Sequence, residues 1–135
     1  MQTRILVSIN YYPLERANPN NSSESAYYAT ARMKGYKSLD EVSEQIAAEC
    51  TVTEHDVKAI LSSLQQHIIT QLQDNRSVRL GDLGSFHIRT NCYAVEDESE
   101  LSTSNLKGVR VHFRKSARLL KAFNVNRCSF NRIDA

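Results

Sequence analysis

The stretch Val78-Arg79-Leu80-Gly81-Asp82-Leu83-Gly84-Ser85-Phe86 is where one periodicity gives way to another. Before it, apolar residues recur every three or four positions. From Val78 onward they alternate, Val78 and Leu80 first and then Phe86 and Ile88, which is the period of a strand. Gly81 and Gly84 bracket a tight turn between the two alternating runs, so a β-hairpin follows helical sequence. The glycines are read as turn residues, because a lone Gly-x-x-Gly is too little to indicate a phosphate loop.

Working back from that point, Ser38 with Glu41 three residues on is a capping box, which predicts a helix start. Leu39, Val42, Ile46 and Cys50 give this helix one apolar stripe, with Glu44, Gln45 and Glu49 outside it. Thr53 with Asp56 caps a second, longer helix whose stripe is Val57, Ile60, Leu61, Leu64, Ile68 and Leu72, about five turns long. The short link around Thr51 and Val52 makes the two a helical hairpin. Further upstream, Arg4 to Tyr12 reads as a leading strand ended by Pro13. Ala17 to Ser25 is Asn- and Ser-rich and reads as a flexible loop, and Tyr27 to Met33, closed by Gly35, reads as either a strand or a helix.

Working forward, Val109, Val111 and Phe113 alternate with Arg110, His112 and Arg114, which predicts a strand with one apolar and one basic face. Ser116 caps a short helix through Phe123 with Leu119, Leu120 and Phe123 inward, and Arg127 to Ile133 is a last strand or a tail.

Composition narrows the function classes. A chain of 135 residues fits one folded core, preceded here by an appendage over residues 1–37, with the main domain at 38–135. Its 41% apolar and 24% charged content is ordinary for a soluble globular protein. No apolar run approaches the roughly 18 residues needed to span a bilayer, and Ile5-Leu6-Val7 is too short for a signal-peptide core, so a cytoplasmic protein is expected. Cys50, Cys92 and Cys128 are odd in number and widely spaced, which fits free thiols in a reducing compartment. His55, His67, His87 and His112 form no ligand spacing with one another or with the cysteines, and no nucleophile elbow is present. Neither catalysis nor a metal, a cofactor or a small-molecule substrate is therefore expected.

The net charge is only +2, but it is segregated. Ser38 to Lys58 holds six acids against Lys58 alone, Lys107 to Lys121 holds six bases and no acid, and Glu96, Asp97, Glu98 and Glu100 stand just before the basic segment.

The order of helical hairpin, glycine turn, arm, returning strand and short helix resembles the HU/IHF family of histone-like DNA-binding proteins over roughly Ser38 to Phe123. Leu80, Gly81, Leu83, Gly84, Ser85 and Phe86 stand where that family has a Leu-x-Gly-Phe-Gly-Thr-Phe-like turn. The leading segment is similar to that of a longer, HU-related subgroup common in gut Bacteroidales. The resemblance implies an α+β fold: an N-terminal helical hairpin, then a three-stranded antiparallel sheet with a β-arm, a short C-terminal helix and one extra N-terminal strand. It further implies an intertwined homodimer that buries Val57, Ile60, Leu61, Leu64, Ile68, Leu72, Phe86 and Phe113. An exposed apolar stripe on a hairpin of two helices points the same way.

For function, the resemblance implies an architectural, largely sequence-independent nucleoid protein that condenses double-stranded DNA. Arg89, Lys107, Arg110, Arg114, Lys115, Arg118 and Lys121 are the candidate phosphate contacts. Departures from the family stand in the arm, where Asn91 to Leu101 has neither the proline wedge nor a base, and at Ala117, which replaces a basic residue. The alternative is an HU-like dimeric module that has lost strong DNA binding and recruits a protein through its acidic arm or leading strand.

Overall fold

The computed structural model describes residues 7–134. Among these residues six strands form two three-stranded sheets, accompanied by three α-helices, and the chain divides into two compact units, residues 38–120 and residues 1–37 with 121–135. This corrects the helix-first architecture expected from the sequence, with a single added strand and a single sheet. Two strands precede the helices, and a sixth returns to them.

In the larger unit, α1 (Leu39–Glu49) and α2 (Glu54–Gln73) pack against each other, and α2 also touches β3 (Val78–Arg79) and β4 (Gly84–Cys92). The Ser38 capping box forms, its hydroxyl accepting from the Glu41 amide at 3.2 Å while the Glu41 carboxylate accepts from the Ser38 amide at 2.7 Å. The inward face of α1 is rotated from the predicted stripe. Ser43 is fully buried, donating to the Leu39 carbonyl at 2.8 Å, whereas Leu39 is exposed. Cys50 leaves the stripe because it is the C-cap, with extended backbone, and its side chain is exposed.

α2 ends in a Schellman motif. The Asn75 amide donates to Leu72 O and the Arg76 amide to Gln71 O, both at 3.0 Å, with Asn75 at φ 59°. That reversal aims the chain into β3. Among the described residues, the apolar side chains at least nine-tenths buried are Val57, at 5% exposure, and Leu72, at 7%. Leu61 and Ile68 are half-buried, while Ile60 and Leu64 lie open.

β3, β4 and β5 (Leu106–Lys115) form one antiparallel sheet in that order. Gly81 adopts φ 53° in the turn, and the Leu80 amide donates to the Gly84 carbonyl at 2.8 Å. Gly84 sits at φ 154°, and a Cβ there would meet the Arg114 carbonyl and lie 2.7 Å from Phe113 Cζ. The turn is tied to the start of α3 (Ala117–Ala122): the Ser116 hydroxyl donates to the Asp82 carbonyl and accepts from the Leu119 amide at 3.0 Å. α3 stops one residue short of the predicted helix. Leu120 and Phe123 are exposed, so of the three residues expected inward only Leu119 is half-buried.

In the smaller unit, β1 (Val7–Asn18) lies between β2 (Asn21–Ala31) and β6 (Cys128–Arg132), antiparallel to β2 and parallel to β6. The part of the expected leading strand before Val7 lies outside the described residues. The strand does not end at Pro13. Asn10 O accepts from Arg32 on the β2 side and Tyr11 O from Ile133 on the β6 side, so by alternation the nitrogen of Pro13 points where β6, whose ladder stops at Tyr11, has already ended. Nor is Ala17 to Ser25 a free loop. Asn18 and Asn21 accept from the amides of Asn20 and Ser23 at 3.0 and 3.3 Å, so the asparagines supply the turn chemistry of a hairpin tip. Among the described residues no helix is long and apolar enough to cross a membrane.

Candidate nucleic-acid interface

Strand pairing sorts the side chains of the β3–β4–β5 sheet onto two faces. Phe86 lies opposite Phe113 and Val78, and Ile88 opposite Val111, on one face. The two phenylalanine rings stand 5.0 Å apart in a tilted pair. The other face carries Arg79 and Arg114, which flank Ser85, then His87 opposite His112, then Arg89 opposite Arg110. The two imidazoles are 4.9 Å apart. Asp and Glu are absent from the ladder positions of this face.

Such an arrangement is electrostatically unfavourable by itself, since like charges directly opposite each other on neighbouring strands repel. Arg89, more than anything else, holds the His112 pKa below its ordinary value; burial and His87 act in the same direction. The face holds no carboxylate at its ladder positions to offset the charge. At its turn end it opens into a hollow of about 570 Å³ bordered by Arg79, His87, Arg114, Lys115, Ser77 and Ser116. A water molecule takes roughly 30 Å³, so a phosphate group with its hydration fits there.

The arm between β4 and β5 differs in charge. Its base is closed by the Tyr93 amide donating to Asn105 O at 2.9 Å, and its tip is two short turns at Glu98–Glu100 and Thr103–Asn105. Asp97 caps the first turn, accepting from the Ser99 amide at 3.1 Å. At the arm's foot, Lys107 Nζ lies 3.7 Å from the centroid of the Tyr93 ring.

Against known proteins, residues 7–132 match the HU-HIG family, described as an HU domain fused to wHTH, Ig, or glycine-rich motif. The chain belongs to this family. Among solved structures it is similar to a Bacteroides vulgatus protein that carries only a provisional description as a bacterial DNA-binding protein, with a TM-score of 0.63 and 8% sequence identity. The similarity covers 95% of this chain and 49% of the other, so the chain spans about half the length of that neighbour. No curated protein matches.

On this HU-HIG chain, the predicted contacts Arg89, Arg110 and Arg114 share one sheet face. Lys115 borders the hollow beside it, and Lys107 stands at the arm. Arg118 is already engaged, its guanidinium 3.2 Å from Asp82, and Lys121 falls in the other compact unit. Arg79 and His87 were missed in the sequence. Arg79 alternates with Val78 and Leu80, but a two-residue strand gives its periodicity almost no length over which to show. Of the apolar residues assigned to a dimer interface, Val57 and Leu72 are covered within the chain, Leu61, Ile68, Phe86 and Phe113 are half-covered, and Ile60 and Leu64 are exposed.

Proposed function

We propose that this HU-HIG chain binds double-stranded DNA through the basic face of the β3–β4–β5 sheet, architecturally and with little sequence preference. The observation that carries the reading is the row Arg79, Arg89, Arg110 and Arg114, with both histidines and no carboxylate among its ladder positions. Arginines on a strand face suit phosphodiester oxygens, and such contacts position a protein on the duplex without reading bases. Membership of the HU-HIG family and the provisional assignment of the B. vulgatus neighbour support a DNA-binding role in general.

The candidate contacts are Arg89, Lys107, Arg110, Arg114 and Lys115, now joined by Arg79, with Arg118 and Lys121 at the edge of the set. A homodimer closed over Ile60 and Leu64 presents two such faces and covers apolar residues that one chain leaves open. The DNA-binding face belongs to the unit of residues 38–120. The leading segment, which pairs with Cys128–Arg132 in a second sheet, is assigned to the longer Bacteroidales subgroup, and the nucleoid is the compartment this reading implies. The reading assigns the chain neither a catalytic role nor a cofactor.

The test is a gel-shift titration of duplex DNA across a salt series, with the mass of the free protein measured alongside. The expected result is a dimer whose log affinity falls linearly with log salt, losing about 0.9 in slope for every phosphate neutralised. A folded protein that fails to retard duplex or pre-bent DNA at about 50 mM salt, where counterion release is strongest, overturns the reading. That outcome favours the second reading, an HU-like scaffold that recruits a protein. The acidic tip at Glu96, Asp97, Glu98 and Glu100, which repels phosphate, is the feature in its favour.

A further inference from the structure

We infer that the His87–His112 pair makes this face a proton-linked anion site, so that the protein takes up protons as it binds DNA and holds the duplex more tightly as pH falls. This rests on the assignment of the basic face to DNA and adds its regulation.

The two imidazoles stand opposite each other in the middle of the face, 4.9 Å apart. Their surroundings are cationic on every element that approaches them. β3 brings Arg79, β4 brings Arg89, and β5 brings Arg110 and Arg114, with Lys115 at its end. On the segment before β3, Arg76 shares a second small hollow with His87, and Asp74 on that segment is engaged with Arg76 at 3.2 Å. Asp82, in the turn, is engaged with Arg118.

In the free protein, then, a proton arriving on either imidazole meets only like charge from its neighbours on the face. Arg89 is the largest cause of the lowered His112 pKa, so at neutral pH that ring is uncharged. A phosphate seated among Arg79, His87 and Arg114 reverses the balance, because its negative charge offsets the arginines and favours the imidazolium. The His112 ring, 4.9 Å from the His87 ring that borders the hollow, takes up a proton more readily on binding. Linkage requires the reciprocal effect, so protonation favours the bound state. A rise of one pKa unit in the complex corresponds to about tenfold tighter binding below the lower of the two values.

The experiment measures duplex affinity for the full chain at pH 8.0 and pH 5.5 at fixed salt, for the parent protein, for a variant with both His87→Asn and His112→Asn, and for His67→Asn on α2 as a control. The expected result is about tenfold tighter binding at the lower pH in the parent and the control. The double variant should show less than about a twofold difference between the two pH values, whatever its affinity at pH 8.0. In a second measurement, the imidazole resonance of His112 should titrate at higher pH with DNA present than without it. DNA binding whose pH response is absent, or is undiminished in the double variant, overturns the inference and leaves the DNA assignment standing. No binding at either pH overturns both.

Discussion

The two sheets of this chain have the same number of strands and opposite charge habits. In the β2–β1–β6 sheet, Val7, Ile9 and Tyr11 share a face with Phe130, and Ser8 and Asn10 share the other with Ser129 and Asn131. Its charged strand residues are of both signs, among them Glu15, Arg16, Glu24 and Arg132. In the β3–β4–β5 sheet the second face instead carries Arg79, Arg89, Arg110 and Arg114 with no carboxylate at its ladder positions. A face that serves only to be wet needs no such bias, and like charges across a ladder cost stability. The contrast is the reason the proposed DNA contact is placed on one face of one sheet.

The strongest way to break this contrast is to reverse the charge where it is concentrated. Arg110→Glu with Arg114→Glu should weaken duplex binding by about a hundredfold or more, since phosphate contacts are lost and repulsion replaces them. Arg16→Glu with Arg132→Glu, in the other sheet, should change affinity by less than about twofold. Equal losses from both pairs, read by gel shift at one salt concentration, sink the comparison.

A second test addresses how the face is held together. Gly84→Ala forces a Cβ against Arg114 O and the Phe113 ring at a backbone angle unfavourable to alanine. The expected cost is about 2 kcal/mol or more, read as a lower denaturant midpoint for the larger unit. An unchanged midpoint shows that the β4–β5 ladder yields at that point.

The smallest effect should come from the arm. Replacing Glu96, Glu98 and Glu100 with Gln and Asp97 with Asn keeps the hydrogen-bonding atoms of the tip and removes its charge. If the arm approaches the duplex, binding tightens about threefold at low salt and the gain fades as salt screens it. Unchanged affinity separates the arm from the DNA path and directs attention to a protein partner.

The sequence was most legible where structure follows from neighbours. The Ser38 box and the long stripe of α2 are local patterns, and both helices stand where those patterns put them. Arg110, His112 and Arg114 were likewise visible as one face by simple alternation. What stayed hidden depends on partners distant in sequence. Asn21 to Ser25 has the composition of a loop and becomes a strand only because β1 lies beside it, and Cys128 to Arg132 becomes one only through parallel pairing with Val7 to Tyr11. Arg79 joins the basic face through register with Ser85 rather than through any signal of its own. Leu120 and Phe123 misled because helical spacing predicts which residues share a side, not whether anything in the same chain covers it.

The parallel strand β6 also bears on how the chain comes together in time. Asn131 donates to the Ser8 hydroxyl across 123 positions of sequence, while the helices and the glycine turn make their contacts within a few tens of residues. Loop-closure entropy delays such distant pairing, so on a ribosome the helical unit can assemble while β1 still waits for its third strand. Until Cys128 to Arg132 emerge, one edge of β1 is open and available to any other extended chain nearby.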